Sequence, residues 1–424
     1  MSVSHRFVCG LFFIGFAGVT AAAELPSASP ESLGFSTERL ARIAPVIQGE
    51  IKKGQYPGAV MLVARQGKLV YFESVGQLDP ATAKPMPKDA IFRLYSMTKA
   101  YTSVAAMMLM EEGRLRLTDP VSKYLPALGK LEVSVAVHDP YTGATKYLNV
   151  PAEREINIQD LLRHTSGIVY GPYTSHPKVK ELYAKEGVDW KDVSPAEQIE
   201  RLAKVPLAHQ PGTTFEYSLS TDVLGRVIEA ITGTPLSQFL QERIFTPLGM
   251  TDSAFIVPPE KHGRLAQPFT TDPATGKPIN LLDVTVAQKN DAGGAGSVGT
   301  ALDYARFLQM LLNGGQLDGN RLLSPTTVAY MAADHLGDAK FSGATTLPAG
   351  TGFGLGFAVR REAGLFEVTG STGEYFWAGA AGTGFYVDPQ QQMICVWMTQ
   401  GQPGLARRYD RYLFKQMVYQ AIVD

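Results

Sequence analysis

Cysteine is the scarcest residue type in this sequence of 424 residues, which contains only Cys9 and Cys395. Because Cys9 falls in an N-terminal segment that we expect to be removed, a disulfide bond within the mature chain is excluded. The apolar run around Cys395 indicates a buried strand in which the thiol fills the core. No spacing of cysteine and histidine has the form of a zinc site, so the sequence predicts no metal and no cofactor.

An excess of charge of either sign is also absent. The 39 basic and 40 acidic residues are well mixed along the chain and give a formal net charge of −1. No basic block of the kind that binds nucleic acid occurs, which excludes nucleic acid as a class of partner. The hydrophobic content of 45% is ample for a large core, in one large domain or in two fused ones.

Long apolar runs are confined to the N-terminus. Arg6 precedes the apolar stretch Phe7–Val19, and the small residues Ala21–Ala23 follow it. This order is typical of a secretory signal peptide over residues 1–23. A membrane anchor is the alternative, but the stretch is short for a span and contains three glycines. We therefore expect an exported protein, periplasmic or secreted, with no stable membrane insertion after removal of the signal.

The nucleophile elbow of α/β-hydrolases, G-x-S-x-G, is missing as well. The first glycine of that pattern is replaced by His164 before Ser166, and by Thr369 before Ser371. This absence disfavours the α/β-hydrolase fold. It favours another common way to activate a serine, which is an adjacent lysine.

Ser96 and Lys99 form an S-x-x-K pair just ahead of the apolar helical run Ala100–Met110. Side chains at i and i+3 share one face of a helix. The first turn also offers free N–H groups and the positive end of the helix dipole to an oxyanion. A second copy of the pattern, Ser175–Lys178, lies in a polar stretch where Pro177 predicts an extended turn, and we expect it to be non-catalytic.

Tyr217 is the candidate third member of the site. It follows a turn at Pro211–Thr214 and precedes a predicted helix start. A neighbouring ammonium would lower the pKa of its phenol, so Tyr217 could accept or relay a proton. A lone tyrosine is usually a packing residue, and here the surrounding motif favours the catalytic interpretation.

Strand patterns lie at both ends of the mature chain and helical patterns lie between them. The predicted strands cover 59–64, 68–75, 355–360, 365–368, 384–387 and 393–400, and the predicted helices include 37–52, 158–163, 195–203, 223–231 and 408–423. This order suggests one sheet built from both termini. We predict a discontinuous sheet domain over 24–95 plus 297–424, and a mainly helical domain over 96–296 that begins with the nucleophile helix. The glycine run 293–296 lacks the spacing of a nucleotide loop.

Several segments together resemble the serine β-lactamase and penicillin-binding protein superfamily on its class C side, and within it the family VIII carboxylesterases. The resemblance runs from about Ser32 to the C-terminus, through the segments 96–99, 161–167, 217–225, 247–252, 294–312 and 377–389. It implies an α+β fold of the β-lactamase/transpeptidase type. In that fold an antiparallel sheet is flanked by helices and a mainly helical domain is inserted.

The resemblance also implies roles for individual residues. Ser96 would be the acylated nucleophile, and Lys99 and Tyr217 would be the general-base pair, with either of them taking the proton. The oxyanion hole would consist of the backbone N–H groups of Ser96 and Ala380. His164 belongs to a motif that is a structural loop in this superfamily, so we do not expect it to be catalytic.

Two departures from the class C pattern favour ester substrates. Leu219 stands where Y-x-N places an amide, and the K-T-G triad is replaced by Trp377-Ala378-Gly379, the W-x-G form of family VIII esterases. Trp377 thus replaces a cation that binds the β-lactam carboxylate by an apolar wall. We expect Gly379 to let substrate approach the strand, and Tyr170 and Phe376 to line the acyl pocket.

The sequence therefore predicts a metal-free serine carboxylesterase whose substrates are small to medium esters, cleaved through an acyl-Ser96 intermediate. Three alternatives stay open at this point. One is a β-lactamase or a D-alanyl-D-alanine carboxypeptidase, another is an acyl transferase on the same fold, and the third is a non-catalytic binding protein. The oligomeric state is not predicted.

Overall fold

The computed structural model describes residues 25–189, 191–344, 347–401 and 409–424. The predicted signal peptide and the first residue of the predicted terminal helix lie outside these ranges. The centre of the molecule is an eight-stranded sheet, and most helices that matter for the site come from the middle of the chain.

The α-helices of the described residues are α1 (Thr37–Leu40), α2 (Ile43–Lys52), α3 (Thr98–Glu111), α4 (Ile158–Leu162), α5 (Pro177–Glu186), α6 (Pro195–Leu202), α7 (Ser220–Thr232), α8 (Leu236–Leu240), α9 (Ala301–Leu312), α10 (Pro325–Met331) and α11 (Tyr409–Tyr419). Helix α3 is buried from Thr98 to Leu109, so it runs through the core rather than along the surface.

The strands are β1 (Gly58–Arg65), β2 (Lys68–Asp79), β3 (Lys84–Pro85), β4 (Phe92–Arg93), β5 (Glu132–His138), β6 (Thr145–Pro151), β7 (Thr214–Phe215), β8 (Val298–Gly299), β9 (Gln316–Leu317), β10 (Asn320–Arg321), β11 (Lys340–Phe341), β12 (Thr351–Phe353), β13 (Ala358–Arg360), β14 (Tyr375–Ala378), β15 (Gly384–Asp388) and β16 (Met393–Thr399). Eight of them form the main sheet in the order β12-β13-β14-β15-β16-β1-β2-β3.

The main sheet is antiparallel throughout and joins the two ends of the chain. Strand β1 pairs with β16 in a register that sets Ala59 opposite Thr399 and Arg65 opposite Met393. Every residue of β1, β15 and β16 is buried, which shows that both faces of the sheet are covered. The predicted architecture, an antiparallel sheet flanked by helices and built from strands of both chain ends, is confirmed.

The two faces of the sheet carry two separate hydrophobic cores. Alternate residues of a strand point to opposite faces. On β16, Ile394 and Val396 join the core beneath α9, whereas Cys395 and Trp397 join the core beneath α2 and α11. The Cys395 thiol is a buried core group, as its apolar surroundings predict.

Three local predictions are wrong. The expected helix 37–52 is divided by a turn at residues 41–42 into α1 and α2. The apolar residues 365–368 do not form a strand, and Phe366 and Val368 instead fill the core from an irregular segment. Pro177 begins α5 rather than an extended turn, because the first helical position needs no N–H donor.

Helices of the middle segment place the site beside the sheet. Helix α3 packs against α7, and α7 packs against α4. The end of β14 contacts the short 3₁₀ turn that precedes α3. Among the residues that the structure describes, no helix is both long enough and apolar enough to cross a membrane.

Candidate active site

Ser96 is the central residue of a 3₁₀ turn, Tyr95–Met97, that continues directly into α3. Tyr95 has a φ of 45°, a left-handed conformation that is unfavourable for a tyrosine and is common beside catalytic groups. The turn is held from two sides. The Tyr95 hydroxyl accepts a hydrogen bond from the Leu282 N–H at 2.8 Å, and the Tyr304 hydroxyl donates to the Met97 carbonyl at 3.0 Å.

The predicted pair of Ser96 and Lys99 is brought together. Lys99 Nζ donates to Ser96 Oγ at 3.3 Å, one helical turn along the chain. The lysine side chain is fully buried, and its ammonium lies 4.7 Å from the ring centre of Tyr217 and 5.6 Å from that of Tyr170. Lys99 therefore sits in an aromatic enclosure, in which a charge is stabilised by ring faces as well as by hydrogen bonds.

Two further groups hold the Lys99 ammonium. Nζ donates to the Gly294 carbonyl at 2.7 Å and to the Tyr170 hydroxyl at 3.2 Å. Burial keeps the pKa of Tyr170 well above the ordinary tyrosine value, so its hydroxyl stays neutral. The structure thus makes Tyr170 a partner of the lysine, and its expected place in the acyl pocket stays a prediction.

The glycine run 293–296 owes its composition to close packing between α3 and α7. A side chain at Gly293 would place its Cβ 2.7 Å from the Thr221 carbonyl oxygen, and one at Gly294 would place it 2.4 Å from Asp222 Oδ2. Both distances are too short for a real side chain. The run therefore brings a backbone carbonyl to Lys99, a role that the sequence pattern did not reveal.

Tyr217 follows β7 and faces the other members of the site. Its ring centre is 5.2 Å from that of Trp377 and 4.8 Å from that of His164. The Trp377 indole N–H donates to the Tyr217 hydroxyl at 3.2 Å, across 160 residues of sequence. An edge-to-face contact of 5.2 Å between Trp377 and Phe353 fixes the indole from behind.

His164 borders the site without reaching the nucleophile. Its Nδ1 lies 2.9 Å from Ser218 Oγ, and its ring packs against Tyr217. Burial, and then the charge of Lys99, hold the pKa of this imidazole well below its usual value. A buried histidine with a lowered pKa that packs on Tyr217 fits the structural role that the resemblance implies.

The two N–H groups expected to form the oxyanion hole are both open. Within the described parts of the chain, neither the Ser96 N–H nor the Ala380 N–H has a hydrogen-bond acceptor. Ala380 is exposed and follows the end of β14, the strand that packs against the Ser96 turn. The assignment of these donors stays a prediction, which this geometry favours.

Two of the expected pocket residues have other surroundings. Phe376 points to the opposite face of β14 from Trp377 and packs on Phe366 and Tyr386 in the core beneath α11. Because side chains alternate along a strand, the sequence of residues 375–378 already places Phe376 and Trp377 on opposite faces. A Cβ at Gly379 would lie 2.3 Å from the Leu94 carbonyl oxygen, so this glycine lets β14 approach the nucleophile turn, and its expected contact with substrate stays a prediction.

The second S-x-x-K copy has no catalytic geometry. Ser175 Oγ contacts Ser342 Oγ at 3.0 Å, and Lys178 Nζ contacts the carboxylate of Glu181 at 3.0 Å. In the described ranges, no three side chains of His, Cys, Asp or Glu are arranged to share a metal ion.

Comparison with known proteins shows the family of the chain. The sequence model of the Beta-lactamase family matches residues 43–417. Protein Rv1367c of Mycobacterium tuberculosis is 37% identical over 369 residues, which are 83% of this chain and 88% of that protein. Esterase EstB of Burkholderia gladioli is 30% identical over 390 residues, which are 86% of this chain and 92% of that protein.

A solved structure shows the same fold. EstCE1, described as a hydrolase with promiscuous acyltransferase activity, superposes with a TM-score of 0.72 at 28% sequence identity. The superposition covers 91% of this chain and 99% of EstCE1. The shared fold therefore extends over almost the whole of the described chain.

Proposed function

The chain belongs to the Beta-lactamase family and is a serine hydrolase, and on that premise we propose that it is a carboxylesterase. Its substrates are small to medium uncharged esters, cleaved through an acyl-Ser96 intermediate. Ser96 is the nucleophile, Lys99 and Tyr217 are the proton-transfer pair, and the N–H groups of Ser96 and Ala380 hold the oxyanion.

The observation that carries this proposal is the environment of the Tyr217 hydroxyl. Its hydrogen-bond donor is the neutral indole N–H of Trp377, at 3.2 Å. The indole ring lies in an aromatic group with Tyr217 and Phe353. A substrate carboxylate brought to this wall would lose its hydration without gaining a positive partner, which is costly, whereas an apolar ester group would gain contact area.

The arrangement around Lys99 suits acylation. Ser96 Oγ is 3.3 Å from Lys99 Nζ, within the range of catalytic hydrogen bonds in the absence of substrate. Ser96 attacks the ester carbonyl and passes its proton to the pair of Lys99 and Tyr217. The tetrahedral oxyanion forms opposite the two open N–H groups, and the alcohol leaves with the proton that the pair returns.

Deacylation uses the same groups in reverse order. Water takes the place of the departed alcohol and gives a proton to the pair of Lys99 and Tyr217 as it attacks acyl-Ser96. The acid product then leaves, and Ser96 recovers its proton. The acid product gains no positive partner at the Trp377 wall and regains its hydration in water, so we expect it to leave the site readily.

A comparison of two chromogenic substrates tests the proposed substrate class. We expect the ratio kcat/KM to be much higher for p-nitrophenyl butyrate than for the β-lactam nitrocefin, because nitrocefin carries a carboxylate. A higher kcat/KM for nitrocefin would assign the protein to the β-lactamase or carboxypeptidase alternative instead.

Covalent labelling tests the nucleophile independently of substrate. A fluorophosphonate probe should label the wild-type protein and should not label Ser96→Ala. Ser175→Ala is the matched control, since Ser175 stands in the second S-x-x-K copy and its Oγ is hydrogen-bonded to Ser342 Oγ. Labelling that is absent from the wild type would revive the non-catalytic alternative, and labelling lost in the control would place the nucleophile elsewhere.

We also propose that the protein is exported and that its signal peptide is removed. The apolar segment Phe7–Val19 followed by Ala21–Ala23 supports cleavage before Glu24. The mass and N-terminal sequence of the protein recovered from the periplasm or medium test this directly. A protein that keeps residues 1–23 in the membrane fraction would show an anchor instead.

A further inference from the structure

Asp222 is a buried carboxylate beside the proposed catalytic groups, and no step above uses it. It is the third residue of α7 and is 1% exposed. Its Oδ1 accepts a hydrogen bond from the Gly294 N–H at 3.0 Å. Its Oδ2 has no hydrogen-bond partner in the described part of the chain. A buried carboxylate with one free oxygen is costly unless a positive charge lies nearby.

A positive charge lies one glycine away, on Lys99. Gly294 donates its N–H to Asp222, and its carbonyl accepts from Lys99 Nζ at 2.7 Å. The carboxylate also lies directly against the glycine backbone, because a Cβ at Gly294 would be 2.4 Å from Oδ2. The single residue Gly294 therefore separates the ammonium from the carboxylate.

The other charged groups that face Asp222 do not replace Lys99. Arg226, on the same helix, pairs with Glu229 at 3.0 Å and donates to the Asp291 carbonyl at 2.6 Å. Asp189, from the loop after α5, is negative and adds to the repulsion.

Among the described residues, the Lys99 ammonium in turn donates hydrogen bonds only to uncharged groups. Its Nζ partners are Ser96 Oγ, the Tyr170 hydroxyl and the Gly294 carbonyl. The neighbouring His164 is neutral because burial lowers its pKa, and burial keeps Tyr170 a neutral phenol. Burial raises the pKa of Asp222, and the charge of Lys99 is the first factor that opposes this rise.

We propose that Asp222 is the counter-ion of Lys99 and acts on the reaction through the charge of that lysine. A direct salt bridge would occupy an N–H of the ammonium and fix it away from Ser96. A carboxylate placed behind Gly294 balances the charge of the buried site and leaves all three N–H positions to Ser96, Tyr170 and the carbonyl. Asp222 is thus a positioning residue, and the inference rests on the proposed function because it assigns Lys99 to proton transfer.

Removing the negative charge of Asp222 shifts the pH profile in the same direction, whichever residue takes the proton. In Asp222→Asn the amide oxygen still accepts from the Gly294 N–H, and the shape of the side chain is kept. Without the carboxylate, the pKa of every nearby titrating group falls, whether it is Lys99 or Tyr217. Both limbs of the pH profile should therefore move to lower pH, by on the order of one unit.

The profile is best measured as the rate of labelling of Ser96 by the fluorophosphonate probe, with ester kcat/KM beside it. Glu229→Gln is the matched control, since it removes one negative charge from the same helix but pairs with Arg226 rather than facing Lys99. We expect both limbs of the Glu229→Gln pH profile to stay within about 0.3 pH unit of those of the wild type. If the labelling rate falls in Asp222→Asn while both limbs of its pH profile stay in place, the proposal is overturned. Asp222 then has a structural role only.

Thermal melting tests the same pair without any activity. In Lys99→Met, Asp222 loses its counter-ion, and its pKa in the folded state rises further above the unfolded value. A raised folded pKa gives stability that is present at low pH and lost as pH rises through it. The Tm deficit of Lys99→Met relative to the wild type should therefore shrink on acidification, and the additional change Asp222→Asn should remove that dependence.

The labelling experiment and the melting series distinguish failure of the proposed function from failure of the counter-ion proposal. A wild-type protein that is not labelled contradicts the proposed function, while the melting series still decides whether the two charges interact. Normal labelling together with a Tm deficit that is constant over pH contradicts the counter-ion and leaves the proposed function intact.

Discussion

The indole nitrogen of Trp377 lies 3.2 Å from the phenol oxygen of Tyr217. The sequence suggested only an apolar wall at Trp377, and the hydrogen bond adds a second effect of the same residue. An N–H donor stabilises the phenolate form of a tyrosine, although less than an ammonium would. Under the proposed function, Trp377 would connect substrate preference with proton transfer, because it supplies a donor to Tyr217 without a positive charge that would attract a carboxylate.

Trp377→Phe separates the donor from the ring. Phenylalanine keeps an aromatic wall but removes the indole N–H, so Tyr217 loses a hydrogen bond of about 1–1.5 kcal/mol. We expect kcat/KM for p-nitrophenyl butyrate to fall roughly tenfold. The limb of the pH profile that reports Tyr217 should move to higher pH, because the phenolate has lost a donor.

The neighbouring variant Phe376→Leu is the control for this measurement. Phe376 packs in the core on the other face of β14, so its truncation should lower the Tm and leave the pH profile in place. A Trp377→Phe profile that coincides with the wild type would mean that the hydrogen bond to Tyr217 does not contribute to catalysis.

Tyr170 and Tyr173 form a matched pair for testing the environment of Lys99. The Tyr170 hydroxyl is 3.2 Å from Lys99 Nζ, whereas Tyr173 is 58% exposed three residues later. Tyr170→Phe leaves one buried N–H of Lys99 without a partner, at a cost of about 1–3 kcal/mol. We expect kcat/KM to fall between about tenfold and a hundredfold.

The same substitution at Tyr173 should leave kcat/KM within about twofold of the wild type, since an exposed hydroxyl gains an equal bond from water. Equal losses in the two variants would show that the effect comes from the loop and not from the bond to Lys99.

Local spacing predicted the parts of the site that lie close together in the chain. Ser96 and Lys99 share a helix face because they are three residues apart, and the structure sets their side chains 3.3 Å apart. The sheet was predictable for a similar reason, since β1 and β2 form a hairpin and the strand β16 near the C-terminus is a short apolar run.

Long-range packing decided the rest. The bonds from Lys99 to Tyr170 and Gly294 span 71 and 195 residues, and no periodicity in the sequence encodes them. Phe376 is expected in the acyl pocket, yet it adjoins Trp377 on β14, and adjacent strand residues point to opposite faces. The segment 365–368 has the composition of a strand, but its apolar side chains fill the core without pairing.

Glu216 ties together the segments around Tyr217. Its side chain is almost fully buried and contacts His209 Nε2 at 2.6 Å. Burial tends to raise the pKa of this carboxyl, but hydrogen bonds from His209, Thr174 and Ser342 outweigh it and hold the pKa below its usual value. These partners come from three separate loops, so the carboxylate stabilises the wall next to Tyr217.

Glu216→Gln should therefore destabilise the protein at neutral pH, by roughly 2 kcal/mol. A lowered folded pKa gives stability that is present above the unfolded pKa, about 4.3, and is lost as pH falls through the folded pKa. The Tm difference between wild type and variant should accordingly shrink at acidic pH. A difference that is constant across the pH series would show that the charge of Glu216 is not what matters.

Gly379 offers a direct test of how β14 meets the nucleophile turn. In Gly379→Ala the new Cβ would lie 2.3 Å from the Leu94 carbonyl oxygen and 2.2 Å from Thr383 Oγ1. The side chain of Thr383 can rotate away, but the Leu94 backbone cannot, so the end of β14 must shift from Ser96. A misplacement near 1 Å costs about a hundredfold in rate.

We therefore expect Gly379→Ala to fold, to melt at a lower temperature and to lose about a hundredfold in kcat/KM. Gly364→Ala is the control, because a Cβ at Gly364 would meet no atom within 4 Å. If Gly379 only admitted substrate, bulky esters would suffer more than small ones. If it sets the distance between β14 and Ser96, all esters lose activity alike, and so does fluorophosphonate labelling.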